Sequence, residues 1–207
     1  MDIQILRVGM LQTNCYIISD KACGKAAVID PGGDCQNILT SLAMHGLCAE
    51  YVIITHSHCD HIAALDELKE TTGAKIVIST TDAATLNNSD YTLSAMLGTA
   101  APTTKADICV NDGDTMTIAG YPARFIMTPG HTPGSMCIYF ESEKVLFSGD
   151  TLFCESIGRT DFPGGSYSAI ASSIKNKLYP LGDDIRVLPG HNSETTILHE
   201  KESNFYI

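Results

Sequence analysis

Three histidines and one aspartate fall within six consecutive positions of this chain, directly after an apolar run that is typical of a short buried strand. The run is YVIIT, residues 51–55, and the cluster is HSHCDH, with His56, His58, Asp60 and His61. Residues two apart in an extended segment project to the same side, so His56 and His58 face one point. Asp60 and His61 follow after the chain has turned and face a second point. The cluster therefore overfills one metal site and suits two.

Three later motifs also place a candidate ligand at the end of a predicted strand. They are TPGHTPGS with His131, SGDTLF with Asp150 and LPGHNSE with His191. A glycine precedes each ligand, which lets the backbone turn sharply and present the side chain at the sheet edge. We therefore expect all four motifs to meet at one common edge.

Hydrophobic periodicity predicts strands and helices in alternation. The predicted strands are residues 4–10, 14–19, 25–30, 51–55, 75–79, 115–119, 123–128, 136–140, 144–148 and 185–189. The predicted helices are residues 35–45, 62–72 and 167–178, and residues 80–107 show no clear period, with a helix or loop-rich segment through Leu97. Two strand-rich halves, each with its own helices, predict an α/β sandwich of two sheets with helices outside.

Composition restricts the setting in which the protein works. The chain has 207 residues, 44% of them hydrophobic and 18% charged, so we expect a single domain, residues 1–207, with a substantial core. The formal net charge of -11 disfavours nucleic acid and anionic membrane surfaces as partners. The N-terminus lacks a secretory pattern and no apolar run reaches about eighteen residues, so we expect a cytoplasmic protein. The oligomeric state is left open.

Two histidines and all eight cysteines are not assigned to the metal site. His45 lies at the end of a predicted helix, where an imidazolium suits the helix dipole, and His199 lies in a polar, charged tail. The cysteines are scattered without a C-x-x-C pair, so we expect reduced thiols.

The four motifs together resemble the metallo-β-lactamase superfamily over nearly the whole chain. That resemblance implies an αββα four-layer sandwich with a dinuclear metal site between its sheet edges. SGDTLF, SIGRTDFPGGS and GHNSETT are similar to the glyoxalase II, or hydroxyacylglutathione hydrolase, branch in its short single-domain form. Two features depart from the family pattern. DHIAA stands where relatives often read Asp-His-x-Gly-Gly, and we expect no C-terminal helical domain of the kind that helps to grip glutathione. Glutathione itself is therefore not implied as the thiol.

The resemblance also assigns roles to the motif residues. The implied ligands are His56, His58 and His131 for one ion, Asp60, His61 and His191 for the other, and Asp150 as a bridge, with Asp60 and Asp150 as the catalytic carboxylates. Each ion then keeps open positions for water and substrate, as a catalytic site requires. We expect two divalent ions, with zinc preferred and iron or manganese as alternatives.

Weaker candidates surround these ligands. Residues that can orient the ligand imidazoles or nearby loops are Asp30, Thr55 and Ser148. Residues placed at a substrate rim are Arg159, Asp161 and Tyr167, with an ion pair that stiffens a loop as the alternative for the charged two. Tyr139 and Tyr167 are both open between packing and substrate contact.

The function implied is that of an enzyme, a dinuclear metal-dependent hydrolase of small acyl thioesters that attacks with a metal-bridging hydroxide. No spare histidine or glutamate lies beside the motifs except Glu194, so the site suits good leaving groups such as thiolates. The alternatives are a mononuclear iron persulfide dioxygenase, a phosphodiesterase or lactonase, a nucleic-acid-processing enzyme and a metal-storing module without activity. Oxygen uptake separates the dioxygenase from the hydrolases.

Overall fold

The computed structural model describes residues 1–20, 22–96 and 98–207. Its strands are β1 (Asp2–Val8), β2 (Thr13–Asp20), β3 (Lys25–Ile29), β4 (Cys48–Ile53), β5 (Lys75–Ser79), β6 (Ile108–Val110), β7 (Thr115–Ile118), β8 (Tyr121–Met127), β9 (Met136–Phe140), β10 (Val145–Gly149), β11 (Leu152–Phe153), β12 (Ser156–Ile157), β13 (Arg186–Pro189) and β14 (Thr195–Thr196). Its α-helices are α1 (Cys35–Met44), α2 (Cys59–Ile62), α3 (Leu65–Thr72), α4 (Thr80–Ala83), α5 (Tyr167–Ser173) and α6 (Ile197–Ser203). A π-helical turn, Ile174–Leu178, continues α5, and a 3-10 turn, Tyr179–Leu181, follows it.

Two six-stranded sheets form the centre of the molecule. The first has the order β1-β2-β3-β4-β5-β6, antiparallel as far as β3 and parallel from β3 to β6. The second has the order β14-β13-β10-β9-β8-β7, in which β10 and β13 are the parallel pair. Parallel strands are covered on both faces, which explains why β5 and the end of β4, residues 51–53, read as continuous apolar runs and not as alternating ones.

Side chains of β2 alternate between the two faces of the first sheet. Cys15 and Ile17 pack toward the helices, whereas Tyr16 and Ile18 point into the layer between the sheets, as the two-residue period of a strand requires. The second sheet fills the other side of that layer with Phe125, Ile138, Phe140, Phe147 and Leu188. The two sheets therefore share one core, and the loops at their edges are held in fixed relation.

Helices cover the outer face of each sheet. Apolar side chains of α1 and α3 pack on the first sheet, namely Ile38, Leu42, Leu65 and Leu68. Ile170 of α5, with Ile174 and Leu178 of the π-helical turn, packs on the second. The αββα four-layer sandwich expected from the sequence is confirmed. No helix within the described ranges combines the length and apolar character that crossing a bilayer requires.

Several predicted elements differ from the observed ones. The helix expected over residues 62–72 is divided into α2 and α3, because the chain between them turns to let the Ala64 N–H donate to Pro31 O at 2.9 Å. The helix expected over residues 167–178 widens into the π-helical turn halfway along. Residues 80–107 contain α4 followed by turns, and the predicted boundary at Leu97 lies outside the described residues. The short elements β6, β11, β12, β14 and α6 were not predicted.

Candidate metal centre

The predicted ligands occupy four loops that each follow a strand. Residues 56–61 come after β4, His131 after β8, Asp150 directly after β10 and His191 after β13. The β10 and β13 ends lie side by side because these two strands are paired in parallel, and Gly190 N donates to Gly149 O at 2.8 Å. The structure thus brings the four motifs to one place, where six of the seven side chains fall into two adjoining groups and Asp150 lies between them.

The first group consists of His56, His58 and His131. Their ring centroids are 4.5 to 4.7 Å apart, and the nitrogens that face one another lie within 4.8 Å. All three rings are buried. Three imidazoles at this spacing match the ligand set of a catalytic zinc site with an open position.

The second group consists of Asp60, His61 and His191. His191 Nε2 lies 3.2 Å from Asp60 Oδ2 and 3.3 Å from His61 Nε2. Two imidazole nitrogens at this distance need a proton or a cation between them, since each otherwise presents a lone pair to the other.

Asp150 lies between the two groups. Its Oδ1 is 3.4 Å from His61 Nε2 in the second group, and its Oδ2 is 3.6 Å from His131 Nε2 in the first. The same Oδ2 is also 3.6 Å from His191 Nε2 in the second group. One carboxylate therefore faces both groups, which is the placement that a bridging ligand needs.

Unpartnered buried atoms show that the side chains present fit metal ions. His56 Nε2, His131 Nε2 and Asp150 Oδ1 are fully buried and have no hydrogen-bond partner. Leaving such atoms unpaired costs about 1–3 kcal/mol each. All three point into the space between the groups, so cations bound there would satisfy them.

The outer nitrogens of these imidazoles fix their tautomers. His131 Nδ1 donates to Arg159 O at 2.8 Å, and His61 Nδ1 donates to Asp30 Oδ2 at 2.9 Å. Because a carbonyl and a carboxylate only accept, the proton of the neutral ring sits on Nδ1 and the Nε2 lone pair faces inward.

Asp30 and Thr55, both predicted to orient the ligands, do so through one network. Asp30 accepts from Thr55 N at 2.8 Å and from Thr55 Oγ1 at 2.7 Å, and the same hydroxyl lies 3.1 Å from His56 Nδ1. Asp30 is buried and adopts a left-handed backbone, φ 51°. This single carboxylate thus positions one imidazole from each ligand group.

Burial and neighbouring charge shift the pKa values of His58 and His61 in opposite directions. Burial, with His131 and His61 beside it, lowers the pKa of His58 to about 3. Burial also opposes protonation of His61, but the carboxylates of Asp60, Asp150 and Asp30 outweigh it and raise the pKa of His61 well above its ordinary value. His56 and His58 are therefore neutral and ready to bind metal near pH 7, whereas metal must displace a proton from His61.

Two glycines beside the centre serve different purposes. Gly149 has φ 49°, a left-handed conformation that turns the chain directly before Asp150. Gly190 needs no such conformation and instead provides space, because a Cβ there would lie 2.3 Å from Asp150 Oδ1 and 2.7 Å from His61 Cε1. The sequence explains Gly190 by a sharp turn, whereas the structure explains it by close packing against the ligands.

A cleft of about 660 Å³ opens over the two groups. Its apolar walls are Leu11, Leu93, Met96, Phe153, Ile157 and Phe162. Asp60, Asp150 and His191 form part of its polar floor. This volume suits a small organic substrate whose reactive group reaches the floor.

Arg159 lines this cleft, as expected of a rim residue. Its Nε and Nη2 each donate to Asp161 at 2.7 Å, and its guanidinium lies 3.9 Å from the centre of the Phe162 ring. Asp161 is therefore occupied by Arg159 and does not line the cleft among the described residues. Asp161 is therefore better described as the partner of Arg159 in an ion pair that stiffens the loop than as a substrate contact.

The other weak candidates lie elsewhere. Tyr167, expected at the rim, does not line the cleft in the described part of the chain, because its hydroxyl donates to Tyr206 O at 2.8 Å. Tyr139 is buried in the core beneath α5. Ser148 donates to Leu152 O at 2.8 Å and so braces the loop that carries Asp150.

Asp82 is a supporting residue that sequence reasoning missed. It is buried and accepts from Ser57 N at 3.0 Å and from Thr132 Oγ1 at 2.9 Å. It therefore ties the loop of His58 to the loop of His131. Burial raises the pKa of Asp82, although both hydrogen bonds oppose that shift. The one feature of the sequence that could have indicated Asp82 is its position just after the predicted strand β5, at the start of the segment without a clear period.

The histidines left out of the site do lie outside both groups. His45 ends α1, with Nδ1 2.8 Å from Ser41 O. The polar, charged tail that carries His199 forms α6, and His199 Nε2 lies 3.0 Å from Glu155 Oε1. All eight cysteines, each within the described residues, are free.

Known proteins are similar to this chain in sequence and in fold. A family model described as "Metallo-beta-lactamase superfamily" matches residues 8–191. The chain is 38% identical over 216 residues to the hydroxyacylglutathione hydrolase GloC of Haemophilus influenzae, covering 100% of this chain and 98% of that protein. The crystal structure of the BLEG-1 B3 metallo-beta-lactamase aligns with a TM-score of 0.94 at 34% identity, covering 99% of both chains. That of TTHA1623 in a di-iron-bound form aligns with a TM-score of 0.87 at 29% identity, covering 99% of this chain and 100% of that one. The chain therefore belongs to the metallo-beta-lactamase superfamily.

Proposed function

We propose that this protein is a dinuclear metal-dependent hydrolase of small acyl thioesters. The observation that carries the proposal is the position of Asp150 between the two groups, 3.4 Å from His61 Nε2 and 3.6 Å from both His131 Nε2 and His191 Nε2. The similarity to the hydroxyacylglutathione hydrolase GloC supports the reaction class, and the di-iron form of TTHA1623 supports the metal count.

The seven ligand side chains would hold two ions, with His56, His58 and His131 on one side of Asp150 and Asp60, His61 and His191 on the other. Zinc is our first choice because imidazole and carboxylate suit it, and iron or manganese accepts the same donors. Bound there, the ions would supply an ionised water near neutral pH and polarise the substrate carbonyl.

The cleft lacks an acid that could protonate a poor leaving group. Apart from the proposed ligands, the titratable groups among the described residues that line it are Cys59 and Arg159. Burial raises the pKa of the Cys59 thiol, which makes it a weak proton donor. Glu194, the one spare glutamate that the sequence places beside the motifs, is ion-paired with Arg186 and lines a different cavity. A thiolate leaves without a proton, whereas an open-chain amine requires one.

The test compares substrates that share one α-hydroxyacyl group. We expect kcat/KM for the thioester to exceed that for the open-chain amide by at least ~10²-fold, which is roughly 2.7 kcal/mol in barrier height. A β-lactam belongs in the same panel because of the similarity to BLEG-1. Equal rates on thioester and amide would overturn the proposal, and oxygen uptake with a thiol persulfide would support the iron dioxygenase instead.

The identity of the partner belongs to the same proposal. A small acyl thioester fits the cleft, and the net charge of -11 disfavours nucleic acid and anionic membrane surfaces. The cytoplasmic location stays a prediction from the composition.

A further inference from the structure

A separate cluster of metal-binding side chains lies where the β11–β12 hairpin meets α6. Cys154 and Glu155 form the turn of the hairpin, and His199 lies in the first half of α6. One sulfur, one carboxylate oxygen and one imidazole nitrogen from these residues lie within 4.8 Å of one another. None of the three belongs to the centre described above.

The backbone that carries these side chains is held in place by a buried carboxylate. Glu200 is fully buried and accepts from Glu155 N at 3.0 and 3.2 Å and from Thr195 Oγ1 at 2.6 Å. Glu155 is thereby fixed in a left-handed turn, φ 53°. His199 N donates to the capping hydroxyl of Thr196 at 3.2 Å. A ligand that binds here therefore has little backbone to order.

The donor set is that of a zinc-type ion. A thiolate, an imidazole and a carboxylate are the usual zinc donors, and tetrahedral ligands at about 2.0–2.3 Å from the ion lie roughly 3.3–3.8 Å from one another. His199 Nε2 and Glu155 Oε1 are 3.0 Å apart, so only a small outward movement is needed to admit an ion. We propose that Cys154, Glu155 and His199 bind a divalent ion of the zinc class, independently of the dinuclear centre.

The surroundings of Cys154 favour a cation. Burial, with Glu200 and Glu155 nearby, raises the pKa of the Cys154 thiol, so the thiol stays protonated until a cation arrives. The same carboxylates attract that cation. An open cleft beside the cluster, lined by Arg186, Glu194 and Thr196, admits the water needed for the fourth position. A half-exposed histidine–glutamate pair alone would be an ordinary ion pair, and the added thiol distinguishes this cluster.

An ion at this point would connect α6 to one wall of the catalytic cleft. Phe153, Ser156 and Ile157 of the same hairpin line that cleft. The site therefore offers a way to stiffen the wall without touching the ligands of the centre.

The probe is Co²⁺, added to purified protein that has been freed of metal and reloaded with two zinc ions per chain, the number that the dinuclear centre would hold, so that zinc does not already occupy the Cys154 cluster. The signal is the near-ultraviolet charge-transfer band between thiolate and cobalt, since the seven proposed ligands of the centre include no thiolate. We expect a band that saturates at one Co²⁺ per chain, disappears in Cys154→Ser and requires at least about tenfold more Co²⁺ in His199→Gln. Cys48→Ser, at an exposed thiol elsewhere, is the matched control and keeps the band.

Two results would overturn the proposal. One is the absence of the band in the unaltered protein, and the other is its persistence in Cys154→Ser. Both substituted side chains are partly exposed, so the variants are expected to fold, and circular dichroism checks this. Thioester hydrolysis does not enter the readout, so the outcome is independent of the proposed function.

Discussion

At the scale of single residues, Asp150 is the side chain on which both ligand groups depend. Asp150→Asn keeps its size and removes its charge, so we expect kcat/KM to fall by at least ~10²-fold and metal content to drop below two per chain, because an amide donates far less charge to a hard cation. Both quantities are measured on one preparation. Asp161→Asn makes the same chemical change in an exposed ion pair and is expected to keep its metal. Unchanged turnover in Asp150→Asn would mean that the bridge is assigned wrongly.

Asp30 acts on the metal only through other residues, as a positioning residue. Asp30→Asn weakens its hydrogen bonds to His61 and Thr55, so we expect metal affinity to fall ~10–100-fold with the ligands themselves intact. Competition with a chelator of known affinity measures the loss. KM for the thioester is expected to change less than kcat, because Asp30 does not line the cleft. An unchanged metal affinity in Asp30→Asn would show that Asp30 does not position the ligands.

At the scale of elements, the end of β13 must pass close to the ligands, and Gly190 makes this possible. In Gly190→Ala the new methyl group would overlap Asp150 Oδ1, so we expect loss of metal and activity while the far-ultraviolet circular dichroism spectrum is retained. Gly73→Ala is the control, since its Cβ would meet nothing although φ is +70°. That variant is expected to lose some stability and no metal. Full metal content in Gly190→Ala would show that the loops of Asp150 and His191 can move apart to admit the methyl group without losing metal.

The long elements could be predicted from the sequence because each is either a continuous apolar run or has a clear helical period. Strands such as β5 and β9 are continuous apolar runs, and α1 carries its buried residues at helical spacing. Helix α6 could not be found in this way, because its buried residues are Ile197 and Glu200. A buried glutamate is explained only by its partners, Thr195, Asn204 and the Glu155 N–H, which no local pattern reveals.

Part of the candidate site could also be predicted from the sequence. The grouping of its side chains followed from four motifs at strand ends, since strand ends meet at a sheet edge. The bond from Thr132 to Asp82 joins residues far apart in sequence, so it required the fold. The pairing of Arg159 with Asp161 was open to prediction as an ion pair, but its position over Phe162 was not.

At the scale of the whole molecule, the two sheets hold the centre by sharing one core. Tyr16 of the first sheet contacts Phe147 of the second edge to face, with ring centroids 5.0 Å apart, and its hydroxyl donates to Pro189 O at 2.6 Å. Asn14 donates to the same carbonyl and to Asn192 O, each at 3.0 Å. The loop of His191 is therefore fastened to the sheet whose edge carries the histidine cluster. This arrangement keeps the two ligand groups together before any ion binds.

The central claim is that two ions lie on either side of Asp150, and anomalous X-ray diffraction tests it most directly. The protein is to be produced with ample zinc, iron and manganese, and data collected on each side of the absorption edge of the bound metal. We predict two anomalous peaks about 3.5–4 Å apart, one beside His56, His58 and His131 and the other beside Asp60, His61 and His191. Diffraction locates each ion, so an ion at Cys154 would not be confused with either. A single peak at one of the two groups, reproduced with excess metal, would contradict the dinuclear account.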